Sequence, residues 1–214
     1  MRTPVRETRY GPEHIPGFLQ EDWYRGHFAH IRGINPLHLR RAAAIFLCQI
    51  AVGGSLPHAA KLLGTPIARA ERSGRVLCRW ARDSTEPRQF ETALLDLADE
   101  LDSSPHLINY QRRREALNSW SIGPSTWQQL LRQLDPRAVH TPQELGDQGR
   151  RAATISVWAR ITKGDHPLAW RRSFGSSWTL SQPGRLTHRD VYFQGILDQY
   201  ADELATRIDR GEFP

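Results

Sequence analysis

Five arginines recur at helical spacing between Ile67 and Arg82: Arg69, Arg72, Arg75, Arg79 and Arg82. At about 100° per residue they share one arc of a helix, while Ile67, Ala70, Gly74, Leu77, Cys78 and Ala81 share the opposite arc. Guanidinium groups bind phosphates and guanine edges in a bidentate fork, so a helix face made of them is suited to a nucleic-acid backbone. An ordinary amphipathic surface helix mixes acids into its polar side, whereas here Glu71 alone interrupts the arginines. The chemistry that this spacing predicts is recognition of an anion, with Lys61 and Arg82 flanking the stripe and Thr65 and Ser73 completing the candidate DNA-contacting set.

Such a helix needs a scaffold, and the preceding residues supply one. Ser55 is placed to cap a short helix with Pro57 in its first turn, and Ala59, Ala60, Leu62 and Leu63 form its apolar side. Gly64-Thr65-Pro66 breaks that helix before the arginine-bearing one, which is the outline of a helix-turn-helix. Upstream, Leu39, Ala43, Phe46, Leu47 and Ile50 recur at helical spacing over Leu37 to Val52, and Gly53-Gly54 ends the run, so a three-helix unit is expected. Further helices are expected at Arg88–Asp102, Pro105–Trp120 and Pro124–Leu134. Residues 1–35 read as an irregular arm with a short helix around Phe18 to Arg25, docked through Phe18, Trp23, Tyr24 and Phe28. Strand-like alternation is nearly absent, so the expected fold is mainly α.

The chain also resembles itself. RRAAAIFLCQIAVGGSLPHA from Arg40 and RRAATISVWARITKGDHPLA from Arg150 agree at eight of twenty positions without a gap, and QFETALLDLADEL from Gln89 agrees with YFQGILDQYADEL from Tyr192 at six of thirteen. Two matches in the same order predict two related helical units containing helix-turn-helix motifs, one over 36–135 and a diverged one over 136–214. In the second copy the arginine helix gives way to DHPLAWRRSFGSSWTLSQPGRLT, which is expected to form either a loop or a remodelled helix pair. There Arg171 and Arg172, among Trp170, Phe174 and Trp178, are candidates for a second DNA contact; a hydrophobic plug is the other reading of the same residues.

The composition agrees with an anionic partner. The 214 residues carry 29 basic and 23 acidic side chains, a net charge of +6, and Lys61 and Lys163 are the only lysines. Arginine suits bidentate phosphate contacts better than lysine, although a base-composition bias in the genome would raise its frequency too. Cys48 and Cys78 lack CxxC spacing and are expected as two buried, reduced thiols. The first residues contain no apolar signal core and no run is long enough to span a membrane, which points to a cytoplasmic protein. No metal or cofactor is expected: His27-x-x-His30 lacks a second ligand pair, GxxxxGK[ST] and GxGxxG are missing, and Asp99-Glu100 and Asp202-Glu203 fall on the solvent side of their helices. Nothing orients a Ser, His and Asp together, so the reading is of a non-catalytic protein.

The run RRAAAIFLCQIAVGGSLPHAAKLLGTP, followed by FETALLDLADELD, LINYQRRREALNSW and LGDQGRRAATISVWARITKGDHPLA, resembles the actinobacterial branch of the TniQ/TnsD family, the target-site selectors of cut-and-paste transposons. The resemblance covers roughly residues 36 to 172. It implies a DNA-binding protein that selects a target site or adapts a transposition complex to it. Its implied partners are duplex DNA together with a transposition ATPase, a transposase or another effector protein. The chain departs from the family in lacking the paired CxxC zinc ribbons, which leaves a short form similar to the C-terminal helical part. The competing function is a protein-interaction adaptor that grips the transposase, ATPase or effector without DNA specificity of its own.

Overall fold

A computed structural model describes the backbone of residues 7–134, 146–166 and 188–213, and the side chains of all of these but 188–192. The described residues are mainly helical and contain no strand. Their α-helices are α1 (Glu21–Trp23), α2 (Pro36–Val52), α3 (Leu56–Leu62), α4 (Ile67–Asp83), α5 (Arg88–Ser103), α6 (Tyr110–Ala116), α7 (Pro124–Arg132), α8 (Asp147–Thr162) and α9 (His188–Arg210).

The chain divides into two compact units. The first comprises Met1–Arg114 with Thr162–Asp165, and the second Glu115–Ile161 with His166–Pro214. This differs from the division expected at residues 135 and 136: the break falls within α6, and the residues just after α8 belong to the first unit.

The first unit is built around α2. Asn35 caps it by accepting the Leu37 N–H at 2.9 Å, Pro36 opens it where a missing N–H costs nothing, and Gly53 at φ 71° ends it. Leu39, Ala42, Ala43, Ala44, Ile45, Leu47, Cys48 and Ile50 are all buried, so apolar residues cover most of its circumference. A helix of this kind belongs in the middle of a core. Small alanines let α3, α4 and α5 approach it closely, and Phe28 and Phe46 meet Phe90 of α5 at ring distances of 5.9 and 5.8 Å.

The N-terminal residues are part of that core rather than an arm laid on it. Tyr10, Ile15, Leu19, Phe28 and Ile31 are buried with the residues of α2, although only short helical turns, Pro12–His14 and Glu21–Phe28, form there. The helix expected over Pro105–Trp120 shortens to α6, because Asn109 Oδ1 accepts the Arg112 N–H at 2.7 Å and starts the helix only at Tyr110.

In the second unit Trp127 of α7 meets Phe193 of α9 edge-on at 5.8 Å, and Trp120 stacks on Tyr200 at 6.4 Å. Thr154 Oγ1 accepts the Ile122 N–H at 3.2 Å, and Arg150 Nη1 donates to the Ile122 carbonyl at 2.9 Å, fixing the approach to α7 against α8. Among the described residues no single helix is long and apolar enough to cross a membrane; α2 and α3 reach that length only when joined across a 97° bend.

Candidate nucleic-acid interface

The short helix α3 begins as its sequence requires, with Ser55 Oγ accepting the His58 N–H at 3.4 Å. It ends in a left-handed turn. Gly64 lies at φ 63°, its N–H reaches the Lys61 carbonyl at 3.1 Å, and the Thr65 N–H reaches the Ala60 carbonyl at 2.8 Å. A side chain at Gly64 would bring its Cβ to 3.1 Å from Arg114 Cδ, so both conformation and space select glycine. Pro66 then starts α4, where the Arg69 and Ala70 N–H groups return to its carbonyl at 2.9 and 3.0 Å.

α4 packs through Ala70, Ser73 and Leu77, which are buried, with Val76 and Trp80 partly covered beside them. Gly74 lets α3 come close, since a Cβ there would lie 3.1 Å from Leu56 Cδ1. The Trp80 indole donates to the Arg32 carbonyl at 2.7 Å and anchors the far end. On the opposite side Arg72, Arg75, Arg79 and Arg82 are all exposed, at intervals of three and four residues. Lys61 of α3 is exposed as well. Arg75 meets Glu71 at 3.8 Å, but both side chains are largely in solvent, and an exposed pair of this kind contributes little.

The buried arc is rotated from the one that the apolar pattern predicts. Its centre lies at Ser73 and Leu77, which puts Ile67, 50% exposed, and Cys78 at its edge in solvent. Cys78 is therefore not a buried thiol, whereas Cys48 is buried, and burial pushes its thiol up to about 12. Thr65 and Ser73, expected to touch DNA, are 4% and 0% exposed and point into the protein. Thr65 Oγ1 donates to the Gly17 carbonyl at 3.4 Å, and Ser73 Oγ lies 3.1 Å from His38 Nδ1 and 3.5 Å from Arg41 Nη1. Small hydroxyls of this sort let α4 sit close on α2 while the two buried hydroxyls themselves stay partnered.

Arg69 departs from the stripe in another way. It reaches the Asp165 carboxylate, which Arg41 Nη2 also holds at 3.1 Å to both oxygens. Neither Arg41 nor Asp165 stands out in the sequence, because the two lie 124 residues apart and no local spacing joins them. Burial lowers the Arg41 guanidinium from its ordinary value, against the opposing pull of Asp165. His38 is lowered too, first by burial and then by the charges of Arg41 and Arg72. Arg171 and Arg172 lie outside the described residues.

Other charged groups form surface pairs. His27 Nε2 lies 2.7 Å from Glu100 Oε2, and Asp202 receives Arg160 at 2.9 and 3.0 Å. Among the described residues no three His, Cys, Asp or Glu side chains gather in a way that could hold a metal ion. No protein-family model, curated protein or solved structure matches this chain.

Proposed function

We propose that the chain is a non-catalytic DNA-binding protein that lays α4 against duplex DNA, with α3 and α4 acting as a helix-turn-helix. One observation carries the reading: Arg72, Arg75, Arg79 and Arg82 stand exposed along one side of α4 while Ala70, Ser73 and Leu77 hold the other side in the core. Four guanidiniums at a pitch of roughly 5 Å per turn match a backbone whose phosphates are the dominant source of affinity. Lys61 flanks the stripe from α3.

The resemblance of residues 36 to 172 to the TniQ/TnsD selectors supports a place in transposition, as a target-site selector or adaptor with a transposition ATPase, a transposase or another effector as protein partner. A duplicated helical unit has support of its own. α2 ends at Val52 and α8 at Thr162, matched positions in the repeat, and each is followed by a left-handed residue, Gly53 at φ 71° and Lys163 at φ 46°. The test is fluorescence anisotropy of a random-sequence duplex over a range of salt. Four phosphate contacts give a log–log slope of about −3.6, and a flat response overturns the reading.

A further inference from the structure

Three charged side chains from distant parts of the chain meet inside the first unit. Arg41 comes from α2, Arg69 from the first turns of α4, and Asp165 from the residues after α8. Side-chain exposure is 4% at Arg41 and 9% at Asp165 but 30% at Arg69, so the cluster is closed toward α2 and reachable from the Arg69 side. One carboxylate thus faces two guanidiniums. Arg41 Nε is buried with no hydrogen-bond partner, and His38 adds a further ring nitrogen beside the hydroxyl that Arg41 Nη1 touches. Arg41 thus keeps a buried donor that the carboxylate leaves unused, and the terminal oxygens of a phosphate group can engage the forks of the same two guanidiniums.

Asp165 is held there by backbone contacts that do not depend on its charge. The Lys163 carbonyl accepts the Phe18 N–H at 3.0 Å, and Gly164 Cα sits so close to Gly17 that a Cβ on the latter would approach it to 3.1 Å. Truncating the carboxylate therefore vacates a pocket between two arginines while the segment that bounds it stays tied down.

We propose that Arg41 and Arg69 form a receptor for a phosphate oxyanion, that Asp165 occupies it in the free protein, and that a DNA backbone phosphate competes with Asp165 for Arg69. The identity of the ligand rests on the DNA-binding reading of α4, and the receptor itself does not. In this arrangement Asp165 holds back the N-terminal end of α4 and lowers its affinity for every phosphate backbone alike.

Two arms test the receptor and the competition separately. In the first, thermal unfolding of wild type, D165A and D165A/R41A is followed in phosphate and in chloride of equal ionic strength. Phosphate raises the Tm of D165A, leaves wild type unchanged, and loses its effect in D165A/R41A; a D165A that phosphate stabilises no more than wild type overturns the receptor. In the second, wild type and D165N, which keeps the shape of the side chain should D165A not fold, are titrated with the random duplex. D165N binds severalfold tighter, with a salt slope steeper by about 0.9, as expected for one added phosphate contact. Wild type that binds DNA with D165N unchanged or weaker overturns the competition alone. Failure of both proteins to bind DNA overturns the competition together with the proposed function, even where phosphate rescues D165A.

Discussion

Arg72→Ala combined with Arg79→Ala removes two of the four exposed guanidiniums of α4 and nothing from the core, since both side chains lie in solvent a full two turns apart. Substitutions at such positions change stability by about 0.5 kcal/mol or less, so the far-ultraviolet circular dichroism and the Tm of the double variant should match wild type. Binding should not. With four contacts the expected slope of about −3.6 makes the affinity fall roughly 150-fold between about 50 and 200 mM salt. Two contacts give about −1.8, and the same interval then costs only about 12-fold. The gap between the two proteins is widest at low salt and narrows as salt rises, a signature that a lost hydrogen bond to a base would not produce. Anisotropy of a labelled random duplex across that range reads both slopes directly. An unchanged slope in a folded double variant would falsify the assignment of α4 to the DNA backbone.

Three further outcomes follow from particular residues. Gly64→Ala should lower stability by about 1–2 kcal/mol, because the residue is left-handed and crowds Arg114 Cδ; a Tm at or above that of wild type would contradict this account of the α3–α4 turn. Of the two thiols, Cys78 should alkylate in the native protein and Cys48 only after denaturation, as mass spectrometry of partly labelled protein would show, and equal rates would mean that Cys48 is not shielded. His38 and His166 are both lowered below 6.5, His166 by burial alone, so the unfolded chain binds their protons first. Stability is then intact above pH 6.5 and declines as pH falls through that value toward the folded-state values. Denaturant titrations of H38Q/H166Q should show a shallower decline than wild type between about pH 7 and 5, and an identical profile would remove these histidines as its cause.

Much of the helical framework was legible because its signals are local. Ser55-x-Pro57, Gly53-Gly54 and Gly64-Thr65-Pro66 mark starts and stops whose chemistry is complete within a few residues, and the end of α2, both ends of α3 and the start of α4 fall within about two residues of those marks. The stripe of Arg72, Arg75, Arg79 and Arg82 was legible for the same reason. What the pattern misjudged was rotation. Apolarity alone cannot tell Ile67 and Cys78, at the edge of the packed arc, from Leu77 at its centre, because the decision depends on where α2 and α3 lie. Thr65 and Ser73 were misread as surface hydroxyls since a small polar residue facing a neighbouring helix looks the same in sequence as one facing water. The N-terminal residues lacked periodicity because they enter the core as turns and short extended pieces, in which Tyr10, Ile15 and Leu19 are buried without a helical repeat to announce them.

The duplication proposed above offers one account of why the buried charge cluster has no local signal in the sequence. Matched positions in α2 and α8 are buried alike: Ala42 and Ala152, Ala43 and Ala153, Leu47 and Val157, Cys48 and Trp158. On α5 and α9 Leu94, Ala98 and Leu101 correspond to Leu197, Ala201 and Leu204, all buried as well. The two matched stretches thus bury the same apolar positions, while their polar positions differ in exposure. Arg41 is buried against Asp165, yet its counterpart Arg151 is exposed. Asp165 in turn stands where the first copy has Ser55, which caps α3. An aspartate is an equally good capping residue, but here its carboxylate turns to the two guanidiniums of the first unit. On that proposal, a position whose local chemistry points to a helix start serves as a counter-ion of α4. That role is invisible to any reading of neighbouring residues, since it depends on a contact spanning 96 residues to Arg69 and 124 to Arg41.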